Sequence, residues 1–234
     1  MNFIRPVFNY LNDFFALFYP QLCASCNTNL YNNETVICTS CRYRLPYTQF
    51  HSDPDNRTAR QLAGRFPFEA AASFLYFHKG SRVQNLIHQL KYNSNTDVGT
   101  TLGEMYGQVL RSAEKFSTAD IIVPVPLHPA KLKKRGYNQS EYFARGLASA
   151  MEISHANALM RLVNTQSQTR KSRYVRYENM KDIFSVRSPD ILENKHVLLV
   201  DDVLTSGATV EACALKILEI TGTRISIATI AFTD

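Results

Sequence analysis

Residues 196–209, His-Val-Leu-Leu-Val-Asp-Asp-Val-Leu-Thr-Ser-Gly-Ala-Thr, constrain this chain more than any other stretch. An apolar run of strand length, His196 to Val200, ends in two adjacent carboxylates, Asp201 and Asp202. A short loop then leads into Val210 to Ile220, which reads as a helix stopped by Gly222. A buried strand that turns directly into a helix is the building block of a parallel sheet covered by helices. In such sheets ligands bind at the carboxyl ends of the strands, where this loop falls.

The loop has the chemistry of an anion cradle. Thr205, Ser206 and Thr209 supply hydroxyl donors, and Gly207 lets the backbone approach closely. The amides at the helix start add the positive end of its dipole, so a phosphate monoester fits. The lysine of a Walker loop is absent. Two carboxylates beside a bound phosphate suit ribose hydroxyls or a hydrated magnesium ion. A bare Asp-Asp pair more often just caps the next helix; the whole strand-to-helix pattern points to a sugar 5-phosphate.

The rest of the chain supplies further alternation. Ala70 to Phe77, Ile121 to Val125, Ala158 to Val163 and Ile225 to Phe232 read as strands. Val83, Leu86, Ile87 and Leu90 mark one helix, and Leu102, Met105, Tyr106, Val109 and Leu110 mark another. Asn138 with Glu141 three residues on forms a capping box for a helix whose stripe is Phe143, Leu147 and Met151. Gly99, Gly103 and Gly107 do not have nucleotide-loop spacing and fall on one helix face, which predicts close helix packing. Gln49 to Arg65 is polar and reads as a linker. At 234 residues, 45% hydrophobic and 20% charged, the chain holds one full-sized domain and a small appendage, and wholesale disorder is excluded.

The appendage has its own signature. Cys23-Ala-Ser-Cys26 and Cys38-Thr-Ser-Cys41 are two C-x2-C knuckles separated by eleven residues. Each presents two thiolates, and together they close a tetrahedral shell with no open position, the pattern of a structural zinc. Such a site contributes on the order of 10 kcal/mol to folding a segment too small for its own core. A redox C-x-x-C or an iron-sulfur cluster is the rival reading. Before it, Phe3, Ile4, Val7, Phe8, Leu11, Phe14, Phe15 and Phe18 recur with helical period. That helix either docks on the main domain or lies on a membrane surface; its lone cation, Arg5, favours docking. Nothing approaches roughly eighteen consecutive apolar residues, so no transmembrane segment is expected. The expected location is the cytoplasm, with a peripheral place at the inner membrane as the variant.

The net charge of +6 is unevenly distributed. Residues 121–181 hold eleven basic and three acidic side chains, whereas 182–234 hold four and eight. A basic middle beside an acidic end suits a polyanion held with a divalent cation, or a nucleic-acid surface. Within that middle, Ile122-Val-Pro-Val-Pro-Leu-His-Pro129 leaves a strand into a rigid turn. Lys131, Lys133, Lys134 and Arg135 follow it. Pro126, Lys134 and Arg135 are the candidate pyrophosphate contacts. Further on, Arg161, Thr165, Gln168, Arg170, Lys171, Arg173, Tyr174, Arg176, Tyr177 and Asn179 form a cationic stretch. It reads as a loop closing over a sugar or as a track for single-stranded nucleic acid, and the sequence leaves both open.

The 196–209 run resembles the phosphoribosyl pyrophosphate signature of type I phosphoribosyltransferases. That resemblance implies that Asp201 and Asp202 contact the ribose, as the catalytic pair, and that Thr205, Ser206, Gly207, Ala208 and Thr209 bind the 5-phosphate. Taken in order, the cysteine knuckles, Pro-Val-Pro-Leu-His-Pro, Lys-Lys-Arg-Gly-Tyr-Asn-Gln-Ser, the Gln168, Arg176 and Asn179 stretch and the Asp-Asp run resemble the ComF competence family, which includes GntX-like proteins. The resemblance covers about residue 20 to the end. Ser206 stands where many members have Thr, and Arg170-Lys171 places charge where an apolar residue is usual.

The resemblance implies an α/β fold with a mostly parallel sheet of the type I phosphoribosyltransferase kind and a small N-terminal zinc-ribbon segment. The expected layout is an amphipathic helix over 1–19, a four-cysteine ribbon over 20–48 and a phosphoribosyltransferase-like domain over 66–234. The expected function is binding of phosphoribosyl pyrophosphate, or a related sugar phosphate, with Mg, in natural transformation; if the chain is an enzyme, the reaction is pentosyl transfer. The alternative is a non-catalytic module for single-stranded DNA, or a partner of the DNA-uptake machinery, that retains the pocket.

Overall fold

The computed structural model describes residues 20–31, 33–162 and 183–233. The helix expected over 1–19 and the loop residues Gln168, Arg176 and Asn179 lie outside the described residues.

Five parallel strands form the central sheet. They are β1 (Ala70–Phe77), β2 (Ile121–Pro124), β3 (Ser154–His155), β6 (His196–Leu204) and β7 (Arg224–Thr233), in the order β1-β7-β6-β2-β3. Two further strands, β4 (Leu159–Arg161) and β5 (Phe184–Val186), pair antiparallel as a separate ribbon. The central strands β6 and β7 are buried over almost their whole length, which is why Val197–Val200 and most of Ile225–Phe232 read as apolar. The strand expected over 158–163 therefore exists but belongs to the small ribbon. Strand β6 also continues beyond Val200 to Leu204, so the two carboxylates stand within its last residues rather than after its end.

The helices among the described residues are α1 (Thr39–Arg44), α2 (Arg57–Leu62), α3 (Arg82–Tyr92), α4 (Asp97–Leu110), α5 (Pro129–Arg135), α6 (Gln139–Met151) and α7 (Ala208–Leu218). Ser81 caps α3 by accepting the Gln84 amide at 3.2 Å, and the stripe Val83, Leu86, Ile87 and Leu90 is buried. Asn138 caps α6 through the Ser140 amide at 3.3 Å, while Glu141 pairs with Arg145 one turn on. The three glycines of α4 meet α6 backbone to backbone. A Cβ on Gly103 would lie 2.9 Å from Gly146 Cα and from Leu147 N, and one on Gly107 would lie 2.7 Å from Ala150 Cβ. Close helix packing, as the spacing predicts, leaves no room for side chains at this crossing.

The polar stretch read as a linker is built into structure. A single 3-10 turn covers Phe50–Ser52, and α2 follows. Asn56 holds both in place: its carbonyl accepts the Ala59 amide at 3.0 Å, and its amide reaches Phe50 O, Asp53 O and Ala71 O at 3.1, 2.7 and 2.8 Å. Thr58 adds a buried hydroxyl chain, 2.8 Å to Ser73 and from there 2.7 Å to Thr229. Most polar side chains of this stretch are exposed, but Asn56 and Thr58 are buried and tie it to the sheet.

Candidate functional site

A cleft of about 450 Å³ opens at the carboxyl ends of the parallel strands. Strand β6 contributes Asp201 and Asp202, and the loop after it contributes Thr205 and, at the start of α7, Thr209. The turn after β2 contributes Pro126 and Leu127, and α5 contributes Lys131 and Arg135. The cleft thus gathers the acidic pair and two of the loop hydroxyls, from 201–209, with the basic turn, from 126–135. Lys134 does not line it and is exposed. Ser206, Gly207 and Ala208 form the backbone of the loop between the two threonines.

Local geometry explains how the basic turn reaches the acids. Gly136, at φ 84, ends α5 and lets the chain reverse into α6. Asn138 then ties the start of α6 to the turn by donating to Val125 O at 2.9 Å. The first two residues of α6 face the carboxylates: Ser140 Oγ donates to Asp201 Oδ1 at 2.9 Å, and Gln139 Nε2 donates to Asp202 Oδ2 at 2.7 Å. Lys91, from the last turn of α3, places its Nζ 2.8 Å from the same Asp202 oxygen. Arg135 binds Gln139 Oε1 and lies 5.7 Å from the centroid of the Tyr92 ring.

The two acids differ electrostatically. Loss of solvation, and then the neighbouring Asp202 charge, push the Asp201 carboxyl up to about 7, against the pull of the Asp202 amide, Ser140 and Lys91. Asp202 is 5% exposed and has Lys91 and Gln139 as partners. Arg161, at the end of β4, also lines the cleft. Its guanidinium lies 5.3 Å from the Phe184 ring centroid, and its buried Nε has no partner among the described residues.

Lys91 is the site residue that sequence reasoning missed. Nothing local marks it, because it follows a helix stripe legible only for its apolar positions. Gln139 and Ser140 stood within the basic run without a role; their spacing from the capping Asn138 was the available signal.

The cysteine knuckles come together at the other feature. The sulfurs of Cys23, Cys26, Cys38 and Cys41 lie within 4.8 Å of one another, and Cys26 and Cys38 are 3.8 Å apart. A tetrahedral zinc with bonds of about 2.3 Å requires sulfurs about 3.8 Å apart. Three of the four are buried, and backbone amides approach two of them: Cys38 N to Cys23 Sγ at 3.3 Å and Cys41 N to Cys38 Sγ at 3.4 Å. The Thr28 hydroxyl, 3.0 Å away, lowers the Cys26 thiol to about 6, whereas burial raises Cys41 to about 12. Four such cysteines can hold a metal ion. Among the described residues no helix is long and apolar enough to cross a membrane.

Comparison with known proteins matches residues 138–233 to the phosphoribosyl transferase domain. Competence protein F of Haemophilus influenzae is 25% identical over 202 residues, covering 82% of this chain and 88% of that protein. DNA utilization protein YhgH of Escherichia coli K12 is 27% identical over 207 residues, covering 87% and 86%. Among solved structures, the chain is similar to glutamine phosphoribosylpyrophosphate amidotransferase from B. subtilis. That likeness has 19% identity and a TM-score of 0.43, and it covers 61% of this chain but only 30% of the enzyme. The parallel sheet with its strand-end cleft, the four-cysteine cluster and these matches agree: the chain carries a domain of the type I phosphoribosyltransferase fold and is similar to competence and DNA utilization proteins.

Proposed function

We propose that the chain binds phosphoribosyl pyrophosphate together with Mg in the strand-end cleft, and serves in DNA uptake. The observation that carries this reading is the convergence of three chemistries in one cavity: Asp201 and Asp202, Thr205 and Thr209, and the Pro126, Lys131 and Arg135 rim. In this reading the hydroxyl loop takes the 5-phosphate, with Ser206, Gly207 and Ala208 offering backbone, and the carboxylates accept hydrogen bonds from the ribose hydroxyls. The turn and α5 take the pyrophosphate. Asp202 Oδ2 already accepts from Lys91 and Gln139, and Oδ1 from the Val203 amide, so the carboxylate suits hydrogen bonds from ribose hydroxyls better than direct metal ligation. Magnesium bound with the pyrophosphate would supply charge neutralisation there, beside Lys131 and Arg135. The names of the relatives, competence and DNA utilization, support the cellular role. The four cysteines would hold a structural zinc, with no part in the chemistry.

Calorimetry tests the site. Wild-type protein is expected to bind phosphoribosyl pyrophosphate with Mg, and the Asp201→Asn, Asp202→Asn double variant to lose at least about tenfold in affinity, as charged hydrogen bonds are lost. Equal heats from both proteins refute the assignment. Release of pyrophosphate on adding candidate acceptors would identify a transferase.

The exposed face of α5 favours a second use. Lys131, Lys133 and Lys134 are all exposed on this short helix, which buries no residue, and they offer phosphates a cationic rim. Single-stranded DNA bound there would show a salt slope that shrinks when the three lysines are replaced by glutamate. An unchanged slope removes α5 from any DNA site.

A further inference from the structure

We infer that Gln61 and Arg65 are positioning residues that aim the amides of the hydroxyl loop at the 5-phosphate, an inference that rests on the binding reading above. Both belong to the stretch 49–65, and neither lines the cleft. Gln61 Nε2 donates to Thr205 O, and Arg65 Nη1 donates to Ser206 O at 2.7 Å. These are the carbonyls of two successive peptide planes in the loop. In a planar trans peptide the C=O and the following N–H point in opposite directions. Holding the Thr205 and Ser206 carbonyls toward α2 and Arg65 therefore turns the Ser206 and Gly207 amides away from them, to the side that we assign to a bound phosphate.

Two further contacts fit a brace rather than a chance surface bond. Gly207, at φ 77, is the N-cap of α7, and a Cβ placed on it would meet Leu62 Cδ2 at 2.8 Å. The glycine thus serves the fit against α2 as well as the turn. Arg65 also lies 3.4 Å from Glu211 Oε2 in the first turn of α7. Its cation offsets the carboxylate nearest the helix start, which would otherwise oppose a bound phosphate. The brace is itself fixed to the sheet through Asn56 and through Thr58, Ser73 and Thr229. A rigid support of this kind is what a preorganised anion site requires.

The test compares two probes that touch opposite ends of the cleft: ribose 5-phosphate, and inorganic pyrophosphate with Mg. Arg65→Met keeps most of the side chain's bulk and removes the donor; Gln61→Met does the same at the neighbouring carbonyl. Each is expected to weaken ribose 5-phosphate by roughly tenfold, with pyrophosphate affinity unchanged, and Arg65→Lys to recover most of the loss. Melting temperatures identify any variant that fails to fold, and the other variant then decides the question. Unchanged ribose 5-phosphate affinity overturns this inference alone. Parallel loss of both probes also overturns it, because a general loosening of the fold affects both ends. Failure of the wild-type protein to bind ribose 5-phosphate overturns the binding reading and this inference together.

Discussion

Lys91 gives Asp202 a counter-charge before any ligand arrives. Its Nζ lies 2.8 Å from a carboxylate that is almost fully buried, and the lysine side chain is itself only 22% exposed. Removing one member of such a pair leaves the other charge without compensation in a poorly solvated place. Lys91→Met is therefore expected to lower the unfolding free energy by about 3 kcal/mol, read from urea denaturation. A loss below the error of extrapolation would show that Gln139 and solvent suffice for Asp202. His196 makes a contrasting case. It is fully buried, 3.0 Å from Thr118 Oγ1 and 2.8 Å from Ser226 Oγ, and burial lowers its pKa. The unfolded chain then binds a proton more readily than the folded one once the pH falls below about 6.5. Its contribution is complete above that value and is lost as the pH falls toward the lowered folded pKa. Over that window wild-type stability is expected to decline by up to about 1.4 kcal/mol per pH unit more steeply than in His196→Asn, measured by denaturation at stepped pH. Parallel profiles would remove His196 from the acid response.

The α4–α6 crossing depends on the absence of side chains. Gly103→Ala drives a methyl group into the Phe143 carbonyl oxygen and to 2.9 Å from Gly146 Cα and Leu147 N, all backbone atoms of α6, and backbone cannot turn aside as a flexible side chain can. The variant is expected to lose about 1–3 kcal/mol, visible as a lower Tm, without a change of fold. This contact was legible from glycine spacing alone, as were β1 and the apolar stripes of α3 and α6, because burial on a regular element leaves a periodic trace. The strand-to-helix run at 196–209 was legible for the same reason. Other parts left no such trace. The stretch 49–65 reads as a linker because most of its polar side chains are exposed, and composition alone does not reveal that Asn56 and Thr58 are buried and bonded to the sheet. Strand β4 carries the right apolar residues, but its choice of a separate antiparallel partner is a long-range decision. Lys91 reaches the acids from a different helix, so its role follows from packing and not from neighbours in sequence.

At the scale of the whole molecule, the cysteine segment and the sheet are joined. Asn85 of α3 donates to Ser25 O at 2.8 Å, and the chain leaving the knuckles runs beside the outer strand of the sheet. If zinc organises the knuckles, a Cys23→Ser variant should lose most of its metal by elemental analysis, and its N-terminal segment should become sensitive to protease. Retained metal would refute the four-thiolate shell. The route of the exit chain matters beyond the knuckles. Tyr47 bridges antiparallel to Leu75, the Thr48 amide bonds Phe74 O at 3.1 Å, and the Tyr76 amide bonds Pro46 O at 2.9 Å. Strand β1 would otherwise present a row of open donors and acceptors to any passing strand. Residues 46–48 thus act as a selvage, stitching the rim of the sheet so that it cannot unravel into pairing with its neighbours. A chain cut after Tyr47 keeps every residue of the cleft and loses much of that hem, and its failure would be stickiness rather than lost chemistry.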